Sequence, residues 1–210
     1  MKPETNCPDR VNLVEVGPRN GFQLESRIIP TDLKVEIIQG LVEAGLKQIQ
    51  VASFVNPKRV PQMADIEAVI HRLDQAANCL YTGLALNPRG VERAHAAGLK
   101  AVEISVSASD THSRRNAGLS LSEAIEAGEK MARAARGFGM RIIASIQCAF
   151  GCVYEGAVPV HTVLDMARRL QDTGVERISV ADTTGMATPR SVEILLSGLL
   201  PDLGDRKSVV

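Results

Sequence analysis

A glycine followed by an apolar residue recurs four times between a helix-like stretch and a strand-like stretch. A glycine in this place supplies the left-handed backbone that ends a helix. Successive helix-glycine-strand units predict one α/β domain built on a parallel sheet, and no Pro- or Ser-rich linker divides it. The four tripeptides are Ala44-Gly45-Leu46, Ala97-Gly98-Leu99, Phe138-Gly139-Met140 and Thr173-Gly174-Val175.

Six strands alternate with six helices in this pattern. The near-continuous apolar character of the strands is typical of burial on both faces of a sheet. Thr31 is predicted to N-cap the first helix, and Ser120 with Glu123 forms a capping-box motif. The strands are predicted at residues 12–16, 48–52, 80–86, 101–106, 140–147 and 177–181, and the helices at residues 31–44, 65–73, 88–97, 120–137, 161–173 and 188–200.

Two parallel architectures fit this pattern, an open doubly wound sheet and a (β/α)8 barrel. The chain contains no Gly-x-Gly-x-x-Gly after its first strand and no Walker-type phosphate loop. The absence of both motifs argues against the doubly wound nucleotide-binding fold.

The amino-acid composition argues against several classes of binding partner. The chain has 24 Lys+Arg and 24 Asp+Glu, so its formal net charge is zero, which gives no electrostatic case for nucleic acid or an anionic membrane. It has no Trp and two Tyr, too few for a base-stacking platform. No apolar run approaches the ~20 residues that span a bilayer. Four scattered cysteines favour a reducing cytoplasm. We expect a small-molecule substrate, no nucleic acid and no membrane, with a homo-oligomer left open.

Polar residues follow every predicted strand, whereas the helix-to-strand turns are short. The carboxyl ends of parallel strands meet on one face, so this asymmetry predicts an active-site face. Arg19 could bind an anionic oxygen or form a salt bridge at the rim. Asp182 ends an apolar strand, and a contact with a metal or an arginine is favoured there over a helix cap.

Two other polar clusters are ambiguous. Cys148 and Cys152 lack two further ligands for zinc, which favours a buried structural role for Cys148. The run of Asp110, His112, Arg114 and Arg115 fits an anion clamp or a solvated loop equally well.

Four of the strand-end loops resemble those of the 3-hydroxy-3-methylglutaryl-CoA lyases, which are metal-dependent barrel enzymes. The resemblance spans about residues 12–200, and the loops after the second and fifth strands favour the lyases over the homologous synthases. The matching segments are EVGPRNGFQ at residues 15–23, SFVNPKRVPQM at 53–63, CAFGCVYEG at 148–156 and DTTGMATP at 182–189.

The resemblance implies a TIM (β/α)8 barrel with about six β-α units in this chain. It implies cleavage of 3-hydroxy-3-methylglutaryl-CoA to acetyl-CoA and acetoacetate, assisted by a divalent ion, Mg or Mn. Arg19 would stabilise the enolate oxygen of acetyl-CoA. Asp182 would lie near the reacting hydroxyl, Gln50 would be the third catalytic position, and Asn20 would be a metal ligand. The substrate-binding positions implied are Gln23, Ser53, Asn87 and Cys148.

Three departures separate the chain from the family pattern. Asn20 stands where the family has Asp, and an uncharged ligand lowers metal affinity. Gln50 replaces an acid, which removes a partner that could orient Arg19. No residue matches the family's His-x-His and Asn ligands or its loop with a catalytic Cys. A condensing acyltransferase of the same superfamily and a non-catalytic barrel therefore stay open as alternatives.

The end of the chain adds an expectation about its extent. Residues 205–210 do not look like the start of a strand, and one back-translation of them matches a common sequencing-adapter stretch. The chain is therefore predicted to comprise a partial barrel domain at residues 1–204 and a non-native tail at 205–210. A barrel lacking two units exposes strand edges, so the chain alone is expected to be inactive and marginally stable or prone to aggregate.

Overall fold

Six parallel strands form one sheet whose spatial order equals their order in the sequence. The computed structural model describes residues 10–74, 78–203 and 207–209. A doubly wound sheet reverses its strand order at a switch point, whereas a barrel does not, so this connectivity is that of a TIM barrel. The strands are β1 Gln48–Ser53, β2 Leu80–Ala85, β3 Ala101–Ser107, β4 Arg141–Gln147, β5 Arg177–Val180 and β6 Lys207–Val209.

The described helices lie before and between the strands, together with a short 3-10 helix at Pro61–Met63. None of the described helices is both long enough and apolar enough to cross a membrane. The helices are α1 Gly17–Leu24, α2 Thr31–Glu43, α3 Ile66–Arg72, α4 Pro88–Ala96, α5 Asp110–Ala117, α6 Leu121–Gly137, α7 Val160–Asp172 and α8 Pro189–Leu203.

The four glycine turns predicted from the sequence are confirmed. Gly45, Gly98, Gly139 and Gly174 have φ angles of +96°, +90°, +67° and +87°. Each follows a helix and precedes a strand, where this left-handed conformation would strain a residue that has a Cβ atom.

The outer face of the sheet is apolar and packs against the helices. Side chains alternate between the two faces of a strand, and in β3 the residues Val102, Ile104 and Val106 lie in the hydrophobic core. α6 approaches this strand so closely that a Cβ atom on Gly128 would lie 2.8 Å from Val106 Cγ1. The outer face therefore holds the helical layer in place by apolar burial.

The inner face of the same strands is polar. Register across the sheet pairs Gln50 with Thr82, Ser105 with Ser145, and Ser145 with Ser179. Burial on both faces is confirmed, but the inner face is mostly polar, with Leu84 and Ile143 as apolar residues in register with Glu103. The polar inner-face residues are Gln48, Gln50, Thr82, Glu103, Ser105, Ser107, Ser145, Gln147, Arg177 and Ser179.

Thr82 provides a test of this polar face. Its Oγ1 is buried and has no hydrogen-bond partner among the described residues. A buried hydroxyl without a partner is destabilising, so Thr82→Val should raise the free energy of unfolding by about 1 kcal/mol in urea titrations. Thr173→Val is the matched control, because Thr173 Oγ1 donates to Leu170 O at 2.6 Å. The control should lose about 1 kcal/mol. Equal losses in both variants would contradict the orphaned state of Thr82.

The first predicted strand is reduced to a single bridge, so that prediction is wrong. Glu15 N donates to Gln48 O at 3.0 Å, and Gln50 N donates to Glu15 O at 2.7 Å. Val11 is 74% exposed and Leu13 70%. Only one edge of this segment is paired in the described structure, and Pro18 in the first turn starts α1 at once. A helix therefore replaces the loop expected after the first strand.

The predicted helix starts have mixed outcomes. Thr31 is not an N-cap, because it is the first residue of α2 and Pro30 precedes it. Its hydroxyl donates instead to Asp65 Oδ2 at 2.7 Å. The capping box of Ser120 and Glu123 is confirmed.

Two segments expected to lack regular structure are ordered elements. The ambiguous run that begins at Asp110 forms α5, in which Asp110 pairs with Arg114 at 2.6 Å. β6 pairs in parallel with β5, so the expectation that the tail forms no strand is wrong. Whether residues 205–210 are native stays a prediction.

Candidate active site

Arg19 reaches the polar inner face from α1. Its Nε donates to Gln50 Oε1, which joins the helix to β1. Gln23 Nε2 donates to Arg19 O at 2.8 Å, one helical turn away. Burial lowers the pKa of Arg19, and the nearby Glu103 carboxyl opposes that effect. These contacts fix one edge of the guanidinium. Nη1 lies 3.4 Å from Asn20 Oδ1, a long contact that leaves the terminal nitrogens able to donate to an anionic oxygen.

The side-chain amide of Gln50 links Arg19 to a carboxyl group on β3. Gln50 Nε2 donates to Glu103 Oε2 at 2.7 Å. Burial raises the pKa of Glu103, while Arg19, hydrogen bonds from Ser145 and Gln50, and Arg177 favour its charged form. The expectation that Gln50 deprives Arg19 of a partner is wrong, because the amide oxygen accepts the bond that a carboxylate could accept.

Arg177 shows that the sheet curves around this polar face. It lies on β5, and its Nη1 donates to Gln48 Oε1 on β1 at 2.9 Å. Three strands lie between β1 and β5 in the sheet. Neighbouring strands are about 4.8 Å apart, so a direct contact across this span requires the curvature of a barrel wall.

The implied substrate-binding residues are spread along the carboxyl ends of the strands. Ser53 is buried at the end of β1, where its register partner is Leu84, the neighbour of Glu103. Asn87 is exposed and N-caps α4, with its side chain accepting from Gly90 N at 2.9 Å. Asn20 is exposed beside Arg19. Asn87 therefore has a structural role, and ligand binding by these residues stays a prediction.

Cys148 lies in a tightly held turn after β4. The residue is buried and has a φ of +54°, a conformation unusual for a residue other than glycine. Its N–H donates to Thr183 Oγ1 at 2.8 Å, which ties the turn to the end of β5. Burial raises the pKa of the Cys148 thiol. The predicted burial of Cys148 is confirmed.

Asp182 has the contacts of a turn cap. Its Oδ1 accepts from Met186 N at 2.8 Å and its Oδ2 accepts from Ala187 N at 3.0 Å. Among the described residues these backbone donors, rather than an arginine, are its hydrogen-bond partners, and a metal contact stays a prediction. Two backbone N–H groups satisfy the carboxylate and shape the approach to α8.

Comparison with known proteins decides the family. The family model described as HMGL-like matches residues 10–208. The chain belongs to the HMGL-like family. The mitochondrial hydroxymethylglutaryl-CoA lyase of Rattus norvegicus is 39% identical over 196 residues, which cover 93% of this chain and 60% of that protein. The chain therefore spans about 60% of the length of this relative. Other curated relatives carry the name of the cytoplasmic form.

Solved structures of HMGL-like relatives agree with the fold. The HMG-CoA lyase of Bacillus subtilis superposes with a TM-score of 0.92 at 33% identity, covering 96% of this chain and 68% of that one. The HMG-CoA lyase of Acinetobacter baumannii, in complex with coenzyme A and 3-methylmalate, gives 0.89 at 29% identity, covering 94% and 65%. Both relatives retain the arrangement of strands and helices described above.

The described part of this HMGL-like chain does not form a metal site by itself. No group of three or more His, Cys, Asp or Glu residues within residues 10–74, 78–203 and 207–209 is placed to hold a metal ion. Both carboxylate oxygens of Asp182 accept backbone N–H groups, and Asn20 offers one neutral amide oxygen. One neutral ligand is too few for a divalent ion.

Sequence reasoning missed Glu103 and Arg177 as members of the site. The strands that carry them show a two-residue hydrophobic periodicity. Every second residue of AVEISVS and of RISV is apolar and packs against the helices. Reading these strands as continuous apolar runs hid the alternation. Counting the two faces separately would have placed both charged residues on the inner face.

Proposed function

We propose that the gene product that carries residues 1–210 cleaves 3-hydroxy-3-methylglutaryl-CoA to acetyl-CoA and acetoacetate. The observation that supports it is Arg19 held by Gln50 on the polar inner face, in a chain whose relatives are named HMG-CoA lyases. The loops after β1 and β4, which favour a lyase over a synthase, both lie at the carboxyl ends of their strands.

The chemistry requires a base and an anion-stabilising group. Removal of the C3 hydroxyl proton lets its electrons form the new ketone of acetoacetate as the C–C bond breaks. The electron pair of that bond becomes the enolate of acetyl-CoA, which then takes a proton. Arg19 has donors available on its terminal nitrogens, and a fixed cation there favours the enolate oxygen over the neutral thioester oxygen.

The remaining site residues have roles within this proposal. Gln23 holds the turn of α1 that presents Arg19. Ser53, Asn87 and Cys148 line or shape the substrate side of the strand ends, and Asp182 lies near the reacting hydroxyl. The resemblance implies a divalent ion, Mg or Mn, with Asn20 as one ligand.

The proposal takes a small acyl-CoA as the partner. The coenzyme A bound to the Acinetobacter baumannii relative supports this choice of substrate class. We keep the cytoplasm as the compartment, because Cys79, Cys148 and Cys152 are free thiols. The proposed activity is compatible with a monomer and with a homo-oligomer.

A pair of assays tests the activity. In the first, the protein is mixed with 3-hydroxy-3-methylglutaryl-CoA and Mg or Mn, and acetoacetate is measured. In the second, it receives acetyl-CoA and a 2-oxo acid, and free coenzyme A is measured. We expect product in the first assay alone. Product in the second alone would establish a condensing acyltransferase instead, and activity in neither, without metal binding in calorimetry, would favour a non-catalytic barrel.

A further inference from the structure

The amide group of Gln50 has two different ends, and two different partners occupy them. Its oxygen accepts from Arg19 Nε, and its nitrogen donates to Glu103 Oε2 at 2.7 Å. An amide turned by half a rotation would present its NH2 group to the guanidinium, and two donors would face each other. The carboxyl on β3 therefore selects the amide orientation in which Arg19 finds an acceptor.

We propose that Glu103 is a positioning residue for Arg19 and that it acts through the side-chain amide of Gln50. The three side chains come from α1, β1 and β3, so one chain of hydrogen bonds joins three separate elements. The importance of these hydrogen bonds for turnover rests on the proposed function, whereas their effect on the orientation of the Arg19 side chain does not.

The surroundings of Glu103 suit a fixed carboxyl group. It lies on the inner face of β3, where Gln50 Nε2 donates to it at 2.7 Å, and Ser145, Arg19 and Arg177 stabilise its charged form. Burial raises the pKa of Glu103, and these four neighbours oppose that effect. A carboxyl group contacted from β1 and from β4 has little freedom to turn, so it can hold the Gln50 amide in a single orientation.

The Gln50 amide separates the Glu103 carboxyl from Arg19, and this separation affects the charge of the guanidinium. A carboxylate in direct contact would neutralise the guanidinium, whereas the amide oxygen of Gln50 orients it without adding a charge. Arg19 therefore keeps more of its positive charge for an anionic oxygen of the substrate, while Glu103 fixes its direction.

The test uses hydrogen exchange at the Arg19 side chain in the gene product that carries residues 1–210. Arginine is labelled with 15N, the Arg19 Nε–H signal is assigned by its loss in Arg19→Lys, and its solvent-exchange rate is measured by NMR. We expect Glu103→Gln to raise that rate about tenfold, the factor set by weakening one hydrogen bond to a charged group. Thr82→Val, on the same inner face and without a partner, should leave the rate unchanged.

A swap separates positioning from structural damage. Gln50→Glu combined with Glu103→Gln moves the carboxylate next to Arg19 and keeps both side-chain volumes. We expect this double variant to restore slow exchange. Unchanged exchange in Glu103→Gln, or failure of the swap to restore it, overturns the proposal. If Glu103→Gln does not fold, Gln50→Met takes its place, because it removes the same link, and an unchanged rate in that variant also overturns the proposal.

Activity distinguishes this inference from the proposed function. If the parent protein cleaves no 3-hydroxy-3-methylglutaryl-CoA but the exchange results hold, the proposed function fails and the positioning role stands. If the parent is active and Glu103→Gln leaves both kcat and the exchange rate unchanged, the positioning role fails alone. A loss of kcat with little change in KM is the result expected when Arg19 loses its orientation.

Discussion

Replacing Arg19 by methionine is expected to lower kcat for cleavage of 3-hydroxy-3-methylglutaryl-CoA by about 10³-fold. The Arg19 guanidinium can oppose the negative charge of the enolate oxygen, and that charge exists only once the C–C bond has begun to break. KM should change much less, because the neutral thioester gains little from the same contact. Steady-state assays of acetoacetate release measure both constants.

Two further variants define what Arg19 supplies. Arg19→Lys keeps a positive charge but loses the planar fork that bonds Gln50 through Nε, so kcat should stay well below that of the parent protein. Arg190→Met is the matched control, because Arg190 is exposed at the start of α8 and pairs with Glu193 at 2.8 Å. Its kcat should equal that of the parent. A fully active Arg19→Met protein would remove Arg19 from the catalytic machinery.

Replacing Asp65 by alanine is expected to lower the free energy of unfolding by about 3 kcal/mol. Lys34 is fully buried, and its ammonium group donates to Asp65 Oδ1 and to Gln62 O, the latter at 2.6 Å. Removing the carboxylate leaves a buried charge with a single carbonyl partner. Urea unfolding followed by circular dichroism measures the loss.

An exposed pair is the control for Asp65→Ala. Asp32 and Arg72 form a salt bridge in which the side chains are 86% and 48% exposed. Such pairs contribute about 0.5 kcal/mol or less, so Asp32→Ala should be nearly neutral. Equal losses in the two variants would show that burial of Lys34 does not strengthen its pairing.

The pH dependence of stability follows from the same contact. Burial raises the pKa of Asp65, but hydrogen bonds from Lys34 and Thr31 outweigh that effect and hold it below its usual value. The stabilisation is therefore complete above the unfolded-state pKa of about 3.9 and is lost as the pH falls through the lower folded-state value. Thermal melts should show Tm falling in this acid range in the parent protein, and falling less in Asp65→Ala.

Local signals in the sequence predicted the repeating units well. The glycine turns and the Ser120 capping box depend on residues within a few positions of one another, and the structure contains all of them. The first strand failed because a strand depends on its neighbours. Residues 12–16 have strand-like composition, but the segment pairs only through Glu15 on one side. Composition cannot show whether a partner exists.

The site was predicted in part. Strand-end position and family resemblance identified Arg19 and Gln50, which the structure brings together. Glu103 was missed because its role depends on which face of β3 it occupies and on a contact 53 residues away in the chain. A contact of Asp182 with a metal or an arginine was favoured because its carboxylate follows an apolar strand, and the turn before α8 supplies two backbone donors to that carboxylate. Every residue except proline carries a backbone N–H group, so residue types in the sequence do not show where such donors meet a carboxylate.

The division of the sheet into an apolar outer face and a polar inner face affects which substitutions such a protein can tolerate. Alternate positions along each strand are subject to different physical constraints, because one face packs against the helices and the other carries the polar residues. Substitutions at inner positions can alter substrate preference while the packing that holds the helices persists. A combinatorial library restricted to the inner positions of β1, β3 and β4 would therefore explore new reactions with a smaller loss of folded variants than a library spread over whole strands.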